Sequence, residues 1–265
     1  MKRILLTLTA VAAMTGAALA ADLGAARPYA KAPAPVVAPS WTGFYVFGGG
    51  GGGLWAADTT YASTITGSCY APCVNQRQGG SGWYGTAGLG YDWQVNPTWV
   101  VGLFGDGQFG SIRGTIQDPI NFISSTQKLE DSWAVGARIG WLVAPNVLSY
   151  VNGGYAGSHW GRSEFFGIDT GVNVGVHTNS FNRNGWFIGG GVENNLDIFG
   201  IHAPGLFWKT EYRSAFYDRK TIDELFDGTN VPVGNSIRFN NWNQTISTSL
   251  VYRFNWGGPP IAAKY

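Results

Sequence analysis

The feature that most constrains this chain is an alternation of side-chain character with a period of two. In the segment 83–93, for example, Trp83, Leu89 and Trp93 occupy odd positions, whereas the even positions are small or polar. Successive side chains of a β-strand point to opposite faces, so this alternation predicts strands with one apolar face. The segments that show it clearly are 83–93, 99–109, 133–141, 206–216 and 246–254.

Three further segments show a weaker alternation because glycine dilutes it, namely 43–55, 147–158 and 184–195. The sequence therefore predicts eight strands. Their connections alternate in length, with short turns at Asn96-Pro97 and at 144–146. The long connections are 56–81, 111–130, 159–183 and 218–240, and 197–205 is of intermediate length.

An even number of strands with short turns at one rim and long loops at the other is typical of bacterial outer-membrane barrels. We therefore predict an all-β fold, an eight-stranded antiparallel transmembrane β-barrel with short periplasmic turns and long extracellular loops. Both termini would lie in the periplasm, and the protein would be located in the cell outer membrane.

Alternation alone does not tell which face is outside, because a soluble lipocalin-like barrel turns its apolar face inward. On the apolar face of these segments, aromatic residues stand near the strand ends. Ten residues of tilted strand rise about 25 Å along a barrel axis, which matches a lipid-facing band between two aromatic girdles. This favours the membrane barrel. The predicted girdle residues are Trp83, Trp93, Trp99, Phe109, Trp133, Trp141, Trp208 and Phe216.

The composition supports this interpretation and excludes several others. Only 12% of the residues are charged, whereas ordinary soluble domains have about 25% charged residues. Glycine occupies 40 of the 265 positions, well above the usual fraction of about 7%. The 12 Trp, 12 Tyr and 15 Phe exclude intrinsic disorder, which requires few aromatic residues. Beyond the N-terminal segment, no run of about 20 strongly apolar residues occurs, which argues against a helical membrane protein.

The N-terminal segment has the pattern of a cleaved secretory signal. Lys2 and Arg3 precede the apolar run 4–17, and Ala18-Leu19-Ala20 provides the small residues that a signal peptidase requires. We predict a signal peptide over 1–20, with a retained anchor helix as the alternative. Cleavage would remove two of the 17 basic residues and none of the 16 acidic ones, which leaves a net charge of −1. No basic field then remains for binding nucleic acid.

The remaining chain divides into three parts. The segment 21–40 contains Pro28, Pro33, Pro35 and Pro39 among Ala and Val, which favours an extended periplasmic leader. The barrel is predicted to occupy 41–256, and 257–265 forms a C-terminal tail.

The small and polar face of the strands, assigned to the lumen, carries four acidic and four basic residues. A charge on the lipid face would cost about 2–4 kcal/mol near the bilayer midplane, so its place is inside. An eight-stranded barrel has an interior that side chains fill, which favours a plug of ion pairs over a narrow or gated pore. The predicted lumen network comprises Asp92, Asp106, Arg138, Glu193, Lys209, Glu211, Arg213 and Arg253.

The two ends of the predicted barrel resemble a known family. Ser40-Trp41-Thr42-Gly43-Phe44-Tyr45-Val46 opens the first strand, and Ser249-Leu250-Val251-Tyr252-Arg253-Phe254 closes the last one. With the Ala/Pro leader, they resemble the small porin-like outer-membrane proteins known as outer-membrane immunogenic proteins, which are related to the OmpA-like transmembrane barrel. The resemblance implies an abundant surface barrel with a structural role in the Gram-negative cell envelope, and no catalytic site.

The resemblance also implies partners. Such barrels contact outer-membrane lipid and lipopolysaccharide, and they meet periplasmic chaperones and the barrel-assembly machinery during insertion. The machinery reads a final-strand aromatic residue, for which Tyr252 and Phe254 are the candidates. Because eleven residues follow Phe254, the signal is either internal or uses Tyr265.

The other reactive residues give little indication of chemistry. Cys69 and Cys73 lie in the first long connection, where a bond between them would close a loop of five residues, and we expect them to pair in an oxidising compartment. His159, His177 and His202 lack metal-ligand spacing and are expected to be solvated or interfacial. We predict no metal and no cofactor.

A catalytic reading has weak support. Gly48–Gly53 formally contains a dinucleotide-binding glycine pattern, but no helix is predicted to follow it. The only Ser/His candidate is His159 with its neighbours Ser158 and Ser163. We therefore expect a structural and surface protein that is not an enzyme. The alternatives are a narrow small-solute channel and an adhesin or ligand-binding protein that acts through 56–81 and 159–183.

Overall fold

A computed structural model describes residues 40–69, 73, 75–118 and 121–254. The predicted signal peptide and C-terminal tail, and all of the leader except Ser40, lie outside the described residues. The described chain forms eleven antiparallel strands. They are β1 (Gly43–Ser63), β2 (Asn75–Gln94), β3 (Trp99–Asp118), β4 (Ile123–Ala144), β5 (Val147–Trp160), β6 (Ser163–Gly167), β7 (Asn173–Thr178), β8 (Phe181–Asn195), β9 (Leu206–Tyr217), β10 (Lys220–Phe226) and β11 (Pro232–Arg253).

Eight of these strands close a barrel in the order β1–β2–β3–β4–β5–β8–β9–β11. The ring closes between the first and last strands, where Tyr45 is opposite Arg253 and Ser63 is opposite Asn235. The predicted eight-stranded antiparallel barrel is therefore confirmed. Among the described residues, no helix is long and apolar enough to cross a membrane.

The remaining strands build a second ring above the first, on the side of the long connections. There β5, β8 and β9 end, and β6, β7 and β10 take their places. β6 pairs with the upper part of β4, β7 pairs with β6 and β10, and β10 pairs with the upper part of β11. The upper ring runs β1–β2–β3–β4–β6–β7–β10–β11 and is also closed. We call these two parts the membrane half and the extracellular half.

The extracellular half departs from the sequence-based expectation. The long connections are present, but much of their length continues the sheet, with β1 reaching Ser63 and β3 reaching Asp118. In β4 a register shift between Leu129 and Asp131 marks a bulge. One additional residue reverses the face of every side chain beyond it, so the alternation of 133–141 does not continue upward.

Glycine permits the close contact between the first and last strands. A Cβ atom at Gly49 or Gly51 would stand 2.0 Å from a backbone oxygen of β11. Only glycine fits these two inward positions, which explains two of the six glycines in the run Gly48–Gly53 of β1.

Candidate functional site

The lower lumen contains a closed ion-pair group contributed by four strands. Asp92 on β2, Arg138 on β4, Glu193 on β8 and Arg253 on β11 are all buried. Arg138 donates to both carboxylate oxygens of Asp92, at 2.9 and 2.5 Å, and to Glu193 at 3.1 Å. Arg253 lies 2.8 Å from Asp92 and 2.7 Å from Glu193. We call these residues the lower quartet; its formal charge is zero.

Aromatic rings enclose the lower quartet. The guanidinium of Arg138 lies 4.4 Å from the centre of the Tyr45 ring, and that of Arg253 lies 4.4 Å from the Trp41 ring. Stacking on ring faces is favourable for guanidinium groups because they are planar and weakly hydrated. Phe207 contributes a third ring, 5.4 Å from Arg253. The quartet is therefore packed as well as paired.

A second ion-pair group lies above it, still in the membrane half. Arg213 binds Asp106 with two bonds, of 3.0 and 2.8 Å, and Glu211 with one of 2.7 Å. Lys209 lies 3.8 Å from Glu211. Glu211 also accepts hydrogen bonds from Tyr150 at 2.8 Å and from Asn152 at 3.1 Å. These four charged residues form the middle group, which is again formally neutral.

The structure thus places all eight predicted lumen charges inside and divides them between two neutral groups. The groups touch through Tyr150, whose hydroxyl binds Glu211 while its ring lies 5.0 Å from the Arg138 guanidinium. The division could not be read from the sequence, because it depends on the stagger between neighbouring strands.

The extracellular half has an apolar interior. A cluster of buried side chains fills it, and Trp55 and Trp160 meet edge to face in it at 5.3 Å. Further members come from every strand of the upper ring and from β8. They are Ala57, Tyr61, Tyr84, Ile112, Ile116, Ile123, Leu129, Phe165, Val176, Phe181, Ile222, Ile237 and Phe239. We call this set the apolar plug.

A few polar groups are buried near the apolar plug, and the sequence did not single them out. Asp118 and Glu224 are both buried, and Asp118 accepts a hydrogen bond from Asn121 at 2.7 Å. Burial and the nearby Asp118 carboxylate raise the pKa of Glu224 to about 7. His177 is also buried and lies 2.6 Å from Asp227, so the expectation that it is solvated was wrong.

The predicted girdle residues all face outward. Their exposed fractions run from 37% for Phe216 to 80% for Trp83. Trp99 and Trp141 are direct cross-strand partners near the short turns. At the upper level, Trp186 stacks on Phe216 at 4.6 Å, and Phe216 pairs in turn with Trp242. Trp186 and Trp242 were missed because glycine weakens the alternation in 184–195 and Trp242 lies just before 246–254.

The other predicted site residues lie apart from the lumen. Cys69 and Cys73 form a disulfide. Tyr252 and Phe254 are exposed on the outer wall, at the end of β11.

The Ser/His candidate is divided by the barrel wall. Ser158 is buried and accepts from the Trp160 indole, whereas His159 is on the outer side, bound to Asn182. Ser163 is buried against Gln127. The described residues therefore give no positive indication of enzymatic activity.

Comparison with known proteins agrees with the sequence-based resemblance. The chain is 28% identical over 201 residues to the 31 kDa outer-membrane immunogenic protein of Brucella melitensis, covering 70% of this chain and 78% of that protein. The protein of the same name from Brucella suis matches equally. No model of a known protein family matches the sequence.

Solved outer-membrane proteins are also similar. OprG of Pseudomonas aeruginosa is 9% identical with a TM-score of 0.47, covering 82% of this chain and 99% of that one. The outer-membrane protease OmpT of Escherichia coli is 11% identical with a TM-score of 0.44, covering 83% and 99%.

The chain is an integral β-barrel protein of the outer membrane, exposed at the cell surface. A closed ring of eight strands with an apolar outer wall and charges inside matches the requirements of that membrane. The related Brucella proteins are named outer-membrane proteins.

Proposed function

We propose that this barrel is a closed structural and surface protein, which conducts neither ions nor solutes and catalyses no reaction. The observation that carries the proposal is the filling of the lumen. The lower quartet and the middle group occupy the membrane half, and the apolar plug occupies the extracellular half.

A narrow channel would require the ion pairs to separate. In the lower quartet, each carboxylate is bound by two arginines and each arginine by two carboxylates. Separating one partner would leave a buried charge without compensation, at a cost of about 3–5 kcal/mol. Aromatic rings on Arg138 and Arg253 add to the cost of movement. This energy disfavours spontaneous opening.

Liposome swelling tests the proposal. Vesicles containing the purified protein would be diluted into an isotonic solution of a pentose, with a large-pore porin as the positive control. We expect the same swelling rate as in protein-free vesicles. Faster swelling would establish the small-solute channel instead.

A specific observation supports adhesion as a second candidate function. Four large apolar side chains are exposed on the extracellular connections. Exposed apolar residues grouped at one end of a protein often mark an interaction site. The residues are Ile65, Phe122, Val172 and Val231. Replacing all four by Ser should reduce attachment of cells to host surfaces, and unchanged attachment would remove this candidate.

Assembly partners belong to the same proposal. Tyr252 near the end of β11 and Phe254 just after it are exposed on the outer wall, where the barrel-assembly machinery would bind them after periplasmic chaperones deliver the chain. Membrane lipid and lipopolysaccharide would surround the apolar wall, and no nucleic acid would bind. Phe254→Ala should lower the amount of protein in the outer membrane; an unchanged amount would place the signal elsewhere.

A further inference from the structure

The outward half of the glycine run in β1 is not explained by packing within the protein. Gly49 and Gly51 face inward and have no room for a Cβ atom. Gly50 and Gly52 face outward, where a Cβ atom would stand 3.2 and 3.7 Å from its nearest protein atom. A larger side chain fits at Gly52 without rearrangement, and at Gly50 it requires the backbone oxygen of Tyr84 to shift by a few tenths of an ångström. The absence of such side chains leaves space on the outer wall.

That space is a groove of about 760 Å³. Its floor contains Gly50 and Gly52, and its sides are formed by Trp83, Phe109 and Ile246. The lining is almost entirely apolar, and all three side residues are outward-facing and exposed. The groove lies within the lipid-facing band and ends at the upper aromatic level. Hydrocarbon is the surrounding solvent here, so a lipid chain fits the chemistry of the groove.

A basic residue stands at the upper end of the groove. The lining ends at Gly110, and the Nε of Arg113 donates to Ser111 Oγ at 2.6 Å. Ser111 is the cross-strand partner of Trp83, so this bond holds the Arg113 side chain beside the upper end of the groove. Arg113 forms no ion pair with any described residue. A bulge between Phe109 and Ile112 interrupts the ladder at this point, and bulges commonly redirect a side chain.

The cross-strand partner of Arg113 is also basic. Arg113 is directly opposite Lys128 on the outer wall, and like charges in that position are destabilising. Glu130, at 3.4 Å, neutralises Lys128 in part. An external anion between the two strands would relieve the remaining repulsion. Guanidinium binds phosphate oxygens with two parallel hydrogen bonds, which makes phosphate the best match.

We propose that the groove binds one phosphorylated glycolipid of the outer leaflet, the lipid A part of lipopolysaccharide, with an acyl chain over Gly50 and Gly52 and a phosphate at Arg113. The proposal rests on the outer-membrane location and gives the protein a defined lipid contact. It is independent of whether the lumen is closed.

A second outer groove provides a matched control. It has a volume of about 540 Å³ and is lined by Trp93, Leu103, Val151 and Gly153, in the periplasmic part of the wall. The charged residue at its edge, Arg138, directs its side chain into the lumen. A Cβ atom at Gly153 would stand 3.2 Å from its nearest protein atom, the same distance as at Gly50. Leucine at either position therefore fills a groove at comparable cost.

The experiment measures lipid A bound to the purified full-length protein. The protein would be stripped of lipopolysaccharide in detergent micelles and incubated with diphosphorylated lipid A, and the bound fraction would be read by native mass spectrometry. Gly50→Leu and Arg113→Ala are each expected to weaken binding about tenfold, the effect of losing one charge-assisted contact or its equivalent. The controls Gly153→Leu and Arg219→Ala, which removes an exposed arginine between β9 and β10, should bind like the wild type.

Heat-modifiable mobility on unboiled SDS gels confirms that each variant is folded. If Gly50→Leu and Gly153→Leu weakened lipid A binding equally, or if neither weakened it, the groove would not be the lipid A site. Wild-type binding that is unchanged when dephosphorylated lipid A replaces the phosphorylated form would overturn the role of Arg113. Permeable vesicles in the swelling assay would contradict the closed lumen alone, so the two proposals fail separately.

Discussion

The two halves of the barrel share strands β1, β2, β3, β4 and β11, but the polarity of the inner and outer faces differs between the halves. In the membrane half of β1, Phe44 and Val46 face outward. In the extracellular half of the same strand, Trp55 and Tyr61 face inward and Asp58 faces outward. The inward register is the same throughout the strand, and only the surrounding solvent changes, from lipid to water. In β1, the large apolar side chains on the outer face are in the membrane half, and the outer face is more polar in the extracellular half, as in a soluble protein.

The reversal also decides how each half is filled. Below, the outer wall is apolar, and the interior is closed by the two neutral ion-pair groups packed among buried apolar side chains such as Tyr45, Phe104 and Phe207. Above, the outer wall is more polar, and the interior is closed by the apolar plug with a few buried polar groups such as Asp118, Glu224 and His177 beside it. Ion pairs demand a complete set of partners, whereas an apolar cluster tolerates small losses of volume. Substitutions should therefore affect the two halves differently.

The largest effect is expected from Arg138→Ala in the lower quartet. It leaves Asp92 with one arginine instead of two and removes one of the two arginines on Glu193, both fully buried. We expect the free energy of unfolding to fall by about 3–5 kcal/mol, as for other broken buried pairs. Urea unfolding in lipid vesicles measures it, with the exposed Arg219→Ala as the control. A loss as small as the control's would contradict the structural role of the quartet.

The next largest effect concerns pH and Glu224 in the extracellular half. Its pKa is about 7 in the folded protein against an ordinary 4.5, so the unfolded chain releases this proton at lower pH. Stability should therefore fall as pH rises from about 4.5 to 7, by up to about 3 kcal/mol. Asp118 and Asn235 are the groups that face it. Glu224→Gln should flatten this dependence of the urea midpoint, and an unchanged slope would exclude Glu224 as its source.

A smaller effect is expected from the disulfide between Cys69 and Cys73. It closes a loop of only five residues, for which chain entropy gives about 2 kcal/mol at most. Cys69→Ser with Cys73→Ser should therefore lower the unfolding free energy by no more than this amount. If the extracellular half lost its protease resistance altogether, the crosslink and not the apolar plug would hold that half together.

The smallest effect is expected from Ile116→Val within the apolar plug. Ile116 is buried, and removal of one methyl group should cost about 0.5–1.5 kcal/mol. The urea midpoint again provides the measurement. A cost as large as that of Arg138→Ala would show that the two halves respond alike, and the contrast between them would not hold.

The membrane half could be predicted from the sequence because its alternation is strong. The outward positions of 83–93 and 99–109 are rich in Trp, Leu and Val, and most inward positions are small, polar or charged, with Tyr84, Val100 and Phe104 as exceptions. Composition and alternation together were sufficient to predict the number of strands, which side chains face the lipid, and the outer-membrane location. The comparison with the outer-membrane immunogenic proteins of Brucella supports the compartment.

The extracellular half could not be predicted in the same way. Where polarity reverses, as at 55–61 and 112–118, the apolar residues change from the outward to the inward face, so the pattern that predicts a lipid-facing strand ends before the strand does. β6, β7 and β10 have only five to seven residues each, too short for a periodic signal. Glu224 and His177 lie in these segments, which is why their burial was missed. Once the reversal is recognised, Ile112 and Ile116 identify the inward face.

Single-channel recording in planar lipid bilayers tests the central claim most directly, that both halves of the lumen are closed. The purified wild-type protein would be inserted at neutral pH and held at moderate voltages of either sign. The two neutral ion-pair groups and the apolar plug predict a current that does not differ from that of the bare bilayer. Steady, reproducible openings would contradict a filled lumen and establish a pore.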